Sequence, residues 1–143
     1  MSMDIDPRDT LALQQLCFDY AAANDDRDVE AILACFTPDG TFGLQVAGQD
    51  PVGPFGPATT PDAATFFAET LGQQSDQRRH VVTNVRFVDV EADRCTLLSY
   101  FTLCVTDAGT TQVLTTGVYR DEAVRLDGAW RFASKWLDLD GAP

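Results

Sequence analysis

The first third of the chain carries apolar residues at helical spacing. Between residues 9 and 24 they recur three and four positions apart, which predicts a helix capped by Asp9 or Thr10. A polar turn follows, and Asp28 then stands where a side chain would cap a second helix. Residues at the same spacing form that helix's apolar face: Val29, Ile32, Leu33 and Phe36.

The middle of the chain is rich in glycine and proline. Residues 37–40, Thr-Pro-Asp-Gly, predict a turn that ends the second helix, and residues 41–46 are predicted to begin a strand. Residues 47–60 then predict a long loop, which we expect either to cover a binding site or to be a surface insertion. A third helix is predicted to start at residues 60–62 and to end at Gly72.

The second half of the chain changes to the alternation typical of strands. Residues 80–91, 94–106, 111–126 and 129–139 predict four strands, with tight turns at 107–109 and 127–128. Strict alternation places one set of side chains of the first of these strands on a common face: His80, Val82, Asn84, Arg86, Val88 and Val90. Hairpin-linked strands after a helical first half indicate an α+β fold.

Length and charge narrow the possibilities. The chain has 143 residues, which suits one domain spanning 1–143, with residues 1–8 as a flexible N-terminus. Its net charge of −12 disfavours binding to nucleic acid or to an anionic membrane. No signal sequence or long apolar run is visible, so we expect a cytoplasmic protein with free cysteines.

One histidine stands out among the candidate catalytic residues. His80 is the only histidine, and imidazole changes its protonation state near neutral pH. Asp25, at the end of the first helix, is the candidate carboxylate to orient it, and Tyr20 is the candidate donor to a substrate oxygen. Each has a plainer interpretation: His80 bonded to backbone, Asp25 as a turn residue, and Tyr20 as core packing.

Other side chains are candidates to contact a ligand. We predict that a small hydrophobic molecule is bound by Asn84, Tyr100, Tyr119, Phe55 and Phe67. One histidine and scattered acids give no metal-binding pattern, and no nucleotide-binding or nucleophile motif is visible, so neither metal nor cofactor is expected.

Several local motifs resemble the SnoaL-like, or nuclear transport factor 2-like, family. They are Tyr20 with Asp25 and Asp28, residues 36–42, the run RHVVTNV at 79–85, and DGAWRF at 127–132. The resemblance implies a cone-like barrel: a strongly curved, mostly antiparallel sheet wrapped by about three helices around an apolar pocket. It also implies a homodimer or homotrimer.

The resemblance also implies chemistry. Dehydratases of this family, acting on scytalone or bile acids, pair an Asp at the position of Asp25 with a His at that of His80, and Tyr20 resembles a third site residue of the bile acid enzyme. The expected function is therefore a cofactor-independent lyase (dehydratase) or isomerase for a small, hydrophobic, oxygenated ring of polyketide or steroid type.

Two alternatives remain open at this point. Residues 79–86 equally resemble the small subunits of ring-hydroxylating dioxygenases, which would make the chain a non-catalytic ligand-binding or scaffold subunit. A cyclase or hydrolase using the same pocket is the other.

Overall fold

The computed structural model describes residues 4–143, which form three helices and one sheet of six strands. This confirms the expected α+β class. The helices span Pro7–Asp25 (α1), Val29–Ala34 (α2) and Pro61–Gly72 (α3). The strands span Phe36–Val46 (β1), Val52–Phe55 (β2), Gln77–Val90 (β3), Arg94–Asp107 (β4), Thr110–Leu126 (β5) and Ala129–Leu139 (β6).

The sheet has the order β2-β1-β6-β5-β4-β3. Only β1 and β6 run parallel; the other neighbouring strands are antiparallel. Because β2 and β3 are edges that do not pair with each other, the sheet stays open, as the wall of a cone does. The hairpins at Ala108-Gly109 and Asp127-Gly128 have positive φ at both central residues, the geometry that suits strand twist.

One face of the sheet packs against the helices and holds the core. Helix α1 contributes a buried stripe at helical spacing: Leu13, Leu16, Cys17, Tyr20 and Ala21. Phe36, Phe42 and Phe132 meet this stripe from β1 and β6. Tyr20 lies at the centre of this aromatic cluster, in edge contact with Phe36, Tyr119 and Phe132.

Helix α1 begins earlier than predicted. Its N-cap is Asp6, whose side chain accepts a hydrogen bond from the Arg8 amide at 2.8 Å, and Pro7 occupies the first turn. Proline suits that position because its missing N–H would have no partner there. The predicted cap at Asp9 or Thr10 was therefore wrong, and residues 6–8 are helix start, not flexible terminus. Residues 1–3 of that predicted terminus lie outside the described residues.

The predicted turn and loop in the middle of the chain were also partly wrong. Residues 37–40 lie inside β1. These four residues between Phe36 and Thr41 oppose a single residue of β6, between Phe132 and Ser134, and therefore bulge away from it. Within the predicted loop 47–60, β2 pairs antiparallel with β1 through Phe55 and Val52. Proline is tolerated there because β2 is an edge strand.

Candidate functional site

A cavity of about 120 Å³ lies between α1, α3 and the helix-facing side of the sheet. Most of its wall is apolar: Phe42, Leu44, Phe66, Phe67, Leu71, Phe101, Leu103, Leu137 and Leu139. Polar groups join it from Tyr20, Asn24, Thr70, Gln74, Arg78, His80, Thr115 and Tyr119. Thr70 and Pro143 line it and are exposed, so the cavity reaches the surface there. An apolar cavity with a few polar groups is the usual form of a small-molecule site.

Asp25 and His80 pair beside this cavity, where His80 lines the wall and Asp25 lies behind the imidazole. Asp25 Oδ1 lies 2.6 Å from His80 Nδ1 and also accepts the backbone N–H of His80 at 2.9 Å. Both side chains are nearly buried, with 13% and 12% of their surface exposed. An ionised carboxylate at this distance holds the proton on Nδ1, so Nε2 is left as the basic nitrogen. Among residues 4–143, Nε2 of His80 has no hydrogen-bond partner.

Local structure explains why the two residues meet. Asp25 is the last residue of α1, and Arg27 leaves the helix with a left-handed φ of 55° while its amide bonds the carbonyl of Asn24. The Arg27 guanidinium then bonds the carbonyl of Asp76, just before β3 begins. The end of α1 is thus tied to the start of the strand that carries His80.

Two tyrosines line the same cavity. Tyr20 and Tyr119 are each 2% exposed, and burial raises the pKa of both phenols well above the ordinary value. A phenol that resists ionisation donates a hydrogen bond but does not serve as a base. The ring centroids of Phe101 and His80 lie 5.3 Å apart, so Phe101 packs against the imidazole and restricts its orientation.

Not every predicted ligand-contacting residue reaches the cavity. Phe67 does, whereas Phe55 is not part of its wall and instead stacks on Phe66 with ring centroids 4.0 Å apart. Tyr100 is 48% exposed on the opposite side of the sheet, so its predicted contact was wrong.

Asn84 was also placed wrongly by strict alternation. Between Thr83 and Arg86, β3 carries an extra residue relative to β4, and Asn84 takes a left-handed φ of 53°. This bulge reverses the alternation, so the partly buried positions after it are Val85 and Phe87. Asn84 is therefore exposed and does not share the face of His80.

A buried ion pair that the sequence pattern did not predict lies behind the cavity. Lys135 Nζ lies 2.9 Å from Asp121 Oδ2, and the two side chains are 1% and 0% exposed. Opposing strands β5 and β6 place them directly across from each other. One charged residue at an inward position of each of two adjacent strands was the available signal, because 121 and 135 share the face of Tyr119 and Leu137.

Metal-binding groups do not come together in this fold. Within residues 4–143 no three His, Cys, Asp or Glu side chains form a cluster that could hold an ion. Cys17, Cys35, Cys95 and Cys104 are free thiols, and burial raises the pKa of Cys35 to about 11. In the same part of the chain, no helix is both long and apolar enough to cross a membrane.

The sequence pattern of the SnoaL-like domain matches residues 7–135, which is most of the chain. The chain belongs to the SnoaL-like family. No curated protein sequence matches it.

Several solved structures share its fold. A candidate aromatic ring hydroxylase from Novosphingobium aromaticivorans is 27% identical, with a TM-score of 0.77 over 97% of this chain and 96% of that one. From the same organism, a candidate scytalone dehydratase is 20% identical (TM-score 0.71, 92% and 83% covered). The beta subunit of a candidate aromatic-ring-hydroxylating dioxygenase is 18% identical (TM-score 0.73, 92% and 89% covered). At these last two identities the likeness concerns the fold alone.

Proposed function

We propose that this protein is a cofactor-independent lyase of the dehydratase type, or an isomerase, that acts on a small cyclic oxygenated substrate. The observation that carries the proposal is the contact of 2.6 Å between Asp25 Oδ1 and His80 Nδ1 at the wall of an apolar cavity. Pairing of a carboxylate with one imidazole nitrogen prepares the other nitrogen to take a proton.

The steps of a dehydration follow from these groups. His80 Nε2 removes a proton from a carbon of the bound ring, and Asp25 stabilises the imidazolium that results. The electron pair of the broken C–H bond forms a double bond to the neighbouring carbon. The hydroxyl on that carbon takes the proton back from the imidazolium and departs as water. Tyr20 donates a hydrogen bond to a substrate oxygen and keeps its proton, because burial raises its pKa. An isomerase would return the proton to a different carbon instead.

Cavity size limits the substrate. A cavity of about 150 Å³ lined by aliphatic and aromatic side chains is enough to hold benzene, and the volume here is about 120 Å³. We therefore expect the cavity to enclose one small ring at most, with further atoms extending through the opening at Thr70 and Pro143. A four-ring steroid would not be enclosed, so a small polyketide-like ring is the better candidate.

The first test is an NMR titration of the His80 imidazole, which gives a single histidine signal. In Asp25→Asn the amide oxygen can still accept the His80 amide, but the negative charge is lost. We expect the titration midpoint to fall by about one pH unit or more, because the carboxylate no longer stabilises the imidazolium. Asp26→Asn is the matched control, since Asp26 is exposed and does not touch His80. If the titration midpoint is equal in Asp25→Asn and in the wild type, the proposed acid-base pair is wrong.

Turnover is the second test. Hydroxylated one- and two-ring ketones should be screened by liquid chromatography with mass spectrometry. A dehydratase gives a product lighter by one water, whereas an isomerase gives a product of equal mass at a new retention time. We expect His80→Gln to lower kcat about 10²- to 10⁴-fold, the usual contribution of a positioned general base. If kcat is unchanged in His80→Gln, His80 is not the general base and the mechanism is wrong.

A scaffold subunit remains the second candidate function. Apolar side chains stand exposed on the side of the sheet away from the cavity, among them Val81, Val88 and Tyr100. Such a surface suits packing against a catalytic subunit. Stable co-purification with a ring-hydroxylating large subunit, together with wild-type function of that complex when it carries His80→Gln, would favour this candidate over the enzyme.

A further inference from the structure

Arg78 brings a positive charge to the wall of the cavity. It lies two residues before His80 on β3, and both side chains line the cavity. Residues two apart on a strand point to the same face and lie about 6.6 Å apart along it. In a chain with a net charge of −12, a cation facing an apolar ring-binding cavity needs an explanation.

One nitrogen of the Arg78 guanidinium is fixed by a hydrogen bond, and the other two remain available to a ligand. Its Nε donates to Asp76 Oδ1 at 2.9 Å, and the Arg78 side chain is 21% exposed. Within residues 4–143, neither of its two terminal nitrogens has a hydrogen-bond partner. Asp76 is itself fixed, because its backbone carbonyl accepts a hydrogen bond from Arg27. The terminal N–H groups thus form an oriented, unoccupied donor pair beside the cavity.

The chemistry of these donors favours a carboxylate. Two parallel N–H groups of a guanidinium match the two oxygens of a carboxylate, and such bonds are among the stronger ones in proteins. Asp76 offsets part of the local positive charge, which disfavours a dianion such as a phosphate ester. Asp25 is not part of the cavity wall, so its charge does not face the ligand directly.

We propose that Arg78 binds a carboxylate of the substrate, so that the site takes small cyclic carboxylic acids. The assignment rests on the proposed function for the identity of the reacting residue, His80. With the carboxylate on Arg78, the ring lies in the apolar cavity, and a ring carbon faces His80 Nε2. Arg78 then determines which ring acids enter and which carbon meets the base.

Binding of two probes of equal shape tests the assignment. Benzoate and benzamide differ in charge but hardly in size, and their binding can be followed by calorimetry and by the His80 NMR signal. We expect the wild type to bind benzoate about tenfold or more tightly than benzamide, as befits a hydrogen bond to a charged group. Arg78→Gln should lose that preference while binding benzamide as before, and Arg78→Lys should keep part of it.

Arg79→Gln is the matched control. Arg79 is the next residue on β3, is exposed and points to the opposite face, so the preference for benzoate should survive its substitution. Melting temperatures of all variants should be compared, because Arg78→Gln also removes the ion pair with Asp76. Equal binding of both probes by the wild type, or a benzoate preference that persists in Arg78→Gln, would overturn the assignment.

The outcomes also separate this assignment from the proposed function. In one outcome, Asp25→Asn changes the His80 titration, but Arg78→Gln leaves benzoate binding unchanged. The acid-base pair is then supported, and the assignment of carboxylic acids as substrates is wrong. If benzoate binding depends on Arg78 but the titration does not respond, the cavity binds acids without the proposed chemistry. If neither probe binds, the carboxylate assignment is wrong.

Discussion

At the scale of single residues, the least expected feature is a complete charge pair inside the core. Lys135 Nζ lies over three aromatic rings, 3.9 Å from the centroid of Tyr119, 4.2 Å from Phe132 and 4.6 Å from Tyr20. Asp121 Oδ2 accepts a hydrogen bond from Lys135 Nζ, but Oδ1 of Asp121 has no partner within residues 4–143. Burial raises the pKa of the Asp121 carboxyl, and Lys135 opposes that rise.

Removing only the lysine should therefore be costly. We expect Lys135→Met to lower the free energy of unfolding by about 3–5 kcal/mol, because an unpaired carboxylate is left in the core. With Lys135 gone, the folded-state pKa of Asp121 stays above its unfolded value. The stability of the variant is then greatest below the unfolded pKa and falls as pH rises, so the loss should be larger at pH 7 than at pH 4.5.

Urea unfolding measures this prediction, with the double variant Asp121→Leu/Lys135→Met as its control. The double variant replaces the pair by apolar groups of similar size, and we expect it to be more stable than Lys135→Met alone. A double variant that is less stable than Lys135→Met would show that the pair is needed for packing and not only for charge balance.

At the scale of elements, the sequence predicted the helices and the longer strands, but it missed the short strand β2 and the points where a strand's pattern shifts. Periodicity identified three helices and the β3 to β6 hairpins because those signals extend over many residues. The β3 bulge at Asn84 left no such signal: one extra residue depends on pairing with β4, which alternation along β3 cannot reveal. His80 precedes the bulge and keeps the predicted face, whereas Asn84 does not. Arg78 lies before the predicted strand and shares the face of His80.

The start of α1 shows the same limit and leads to a prediction. Asp9, predicted as a cap, instead ties α1 to the sheet by accepting hydrogen bonds from Arg125 and from the Trp130 indole at 3.0 Å. Sequence alone could not reveal this contact because its partners lie more than a hundred positions away. The Trp130 and Arg125 hydrogen bonds lower the pKa of Asp9 from 3.8.

We expect Asp9→Asn to destabilise the fold at pH 7 and much less in acid. A carboxyl with a lowered folded-state pKa adds stability above its unfolded pKa, and that stability disappears as pH falls through the folded value. Urea midpoints at pH 7 and near pH 3 measure the difference. Asp4→Asn serves as the comparison, since Asp4 is exposed and makes no side-chain hydrogen bond among the described residues. An Asp9→Asn deficit that is equal at both pH values would contradict the charged tether.

At the scale of the whole molecule, the two faces of the open sheet differ in what they contact. The helix-facing side forms the core and the cavity. On the other side, which we call the outer face, Tyr100 pairs across β4 and β5 with Val118, and Leu98 lies two residues before Tyr100 on the same side. The Tyr100 residue is 48% exposed. This face also carries Arg86 and Arg120, which flank Leu98 on the neighbouring strands. In a chain with a net charge of −12, such a face lets a second copy approach with less repulsion than an acidic surface would.

We therefore propose that copies of this chain associate through the outer face as a homodimer or homotrimer. Light scattering after size-exclusion chromatography should give a multiple of the 15.6 kDa chain mass. Tyr100→Glu places a charge in the contact and should shift the mass to one chain, because unpaired charge is costly in a buried interface.

Leu11→Glu is the control: Leu11 is 67% exposed on α1, away from the outer face, so its variant should keep the wild-type mass. A wild type that elutes as one chain, or a Tyr100→Glu variant that stays associated, would contradict this arrangement. Since Arg78, His80 and the cavity lie on the other side of the sheet, a monomeric Tyr100→Glu should still bind benzoate.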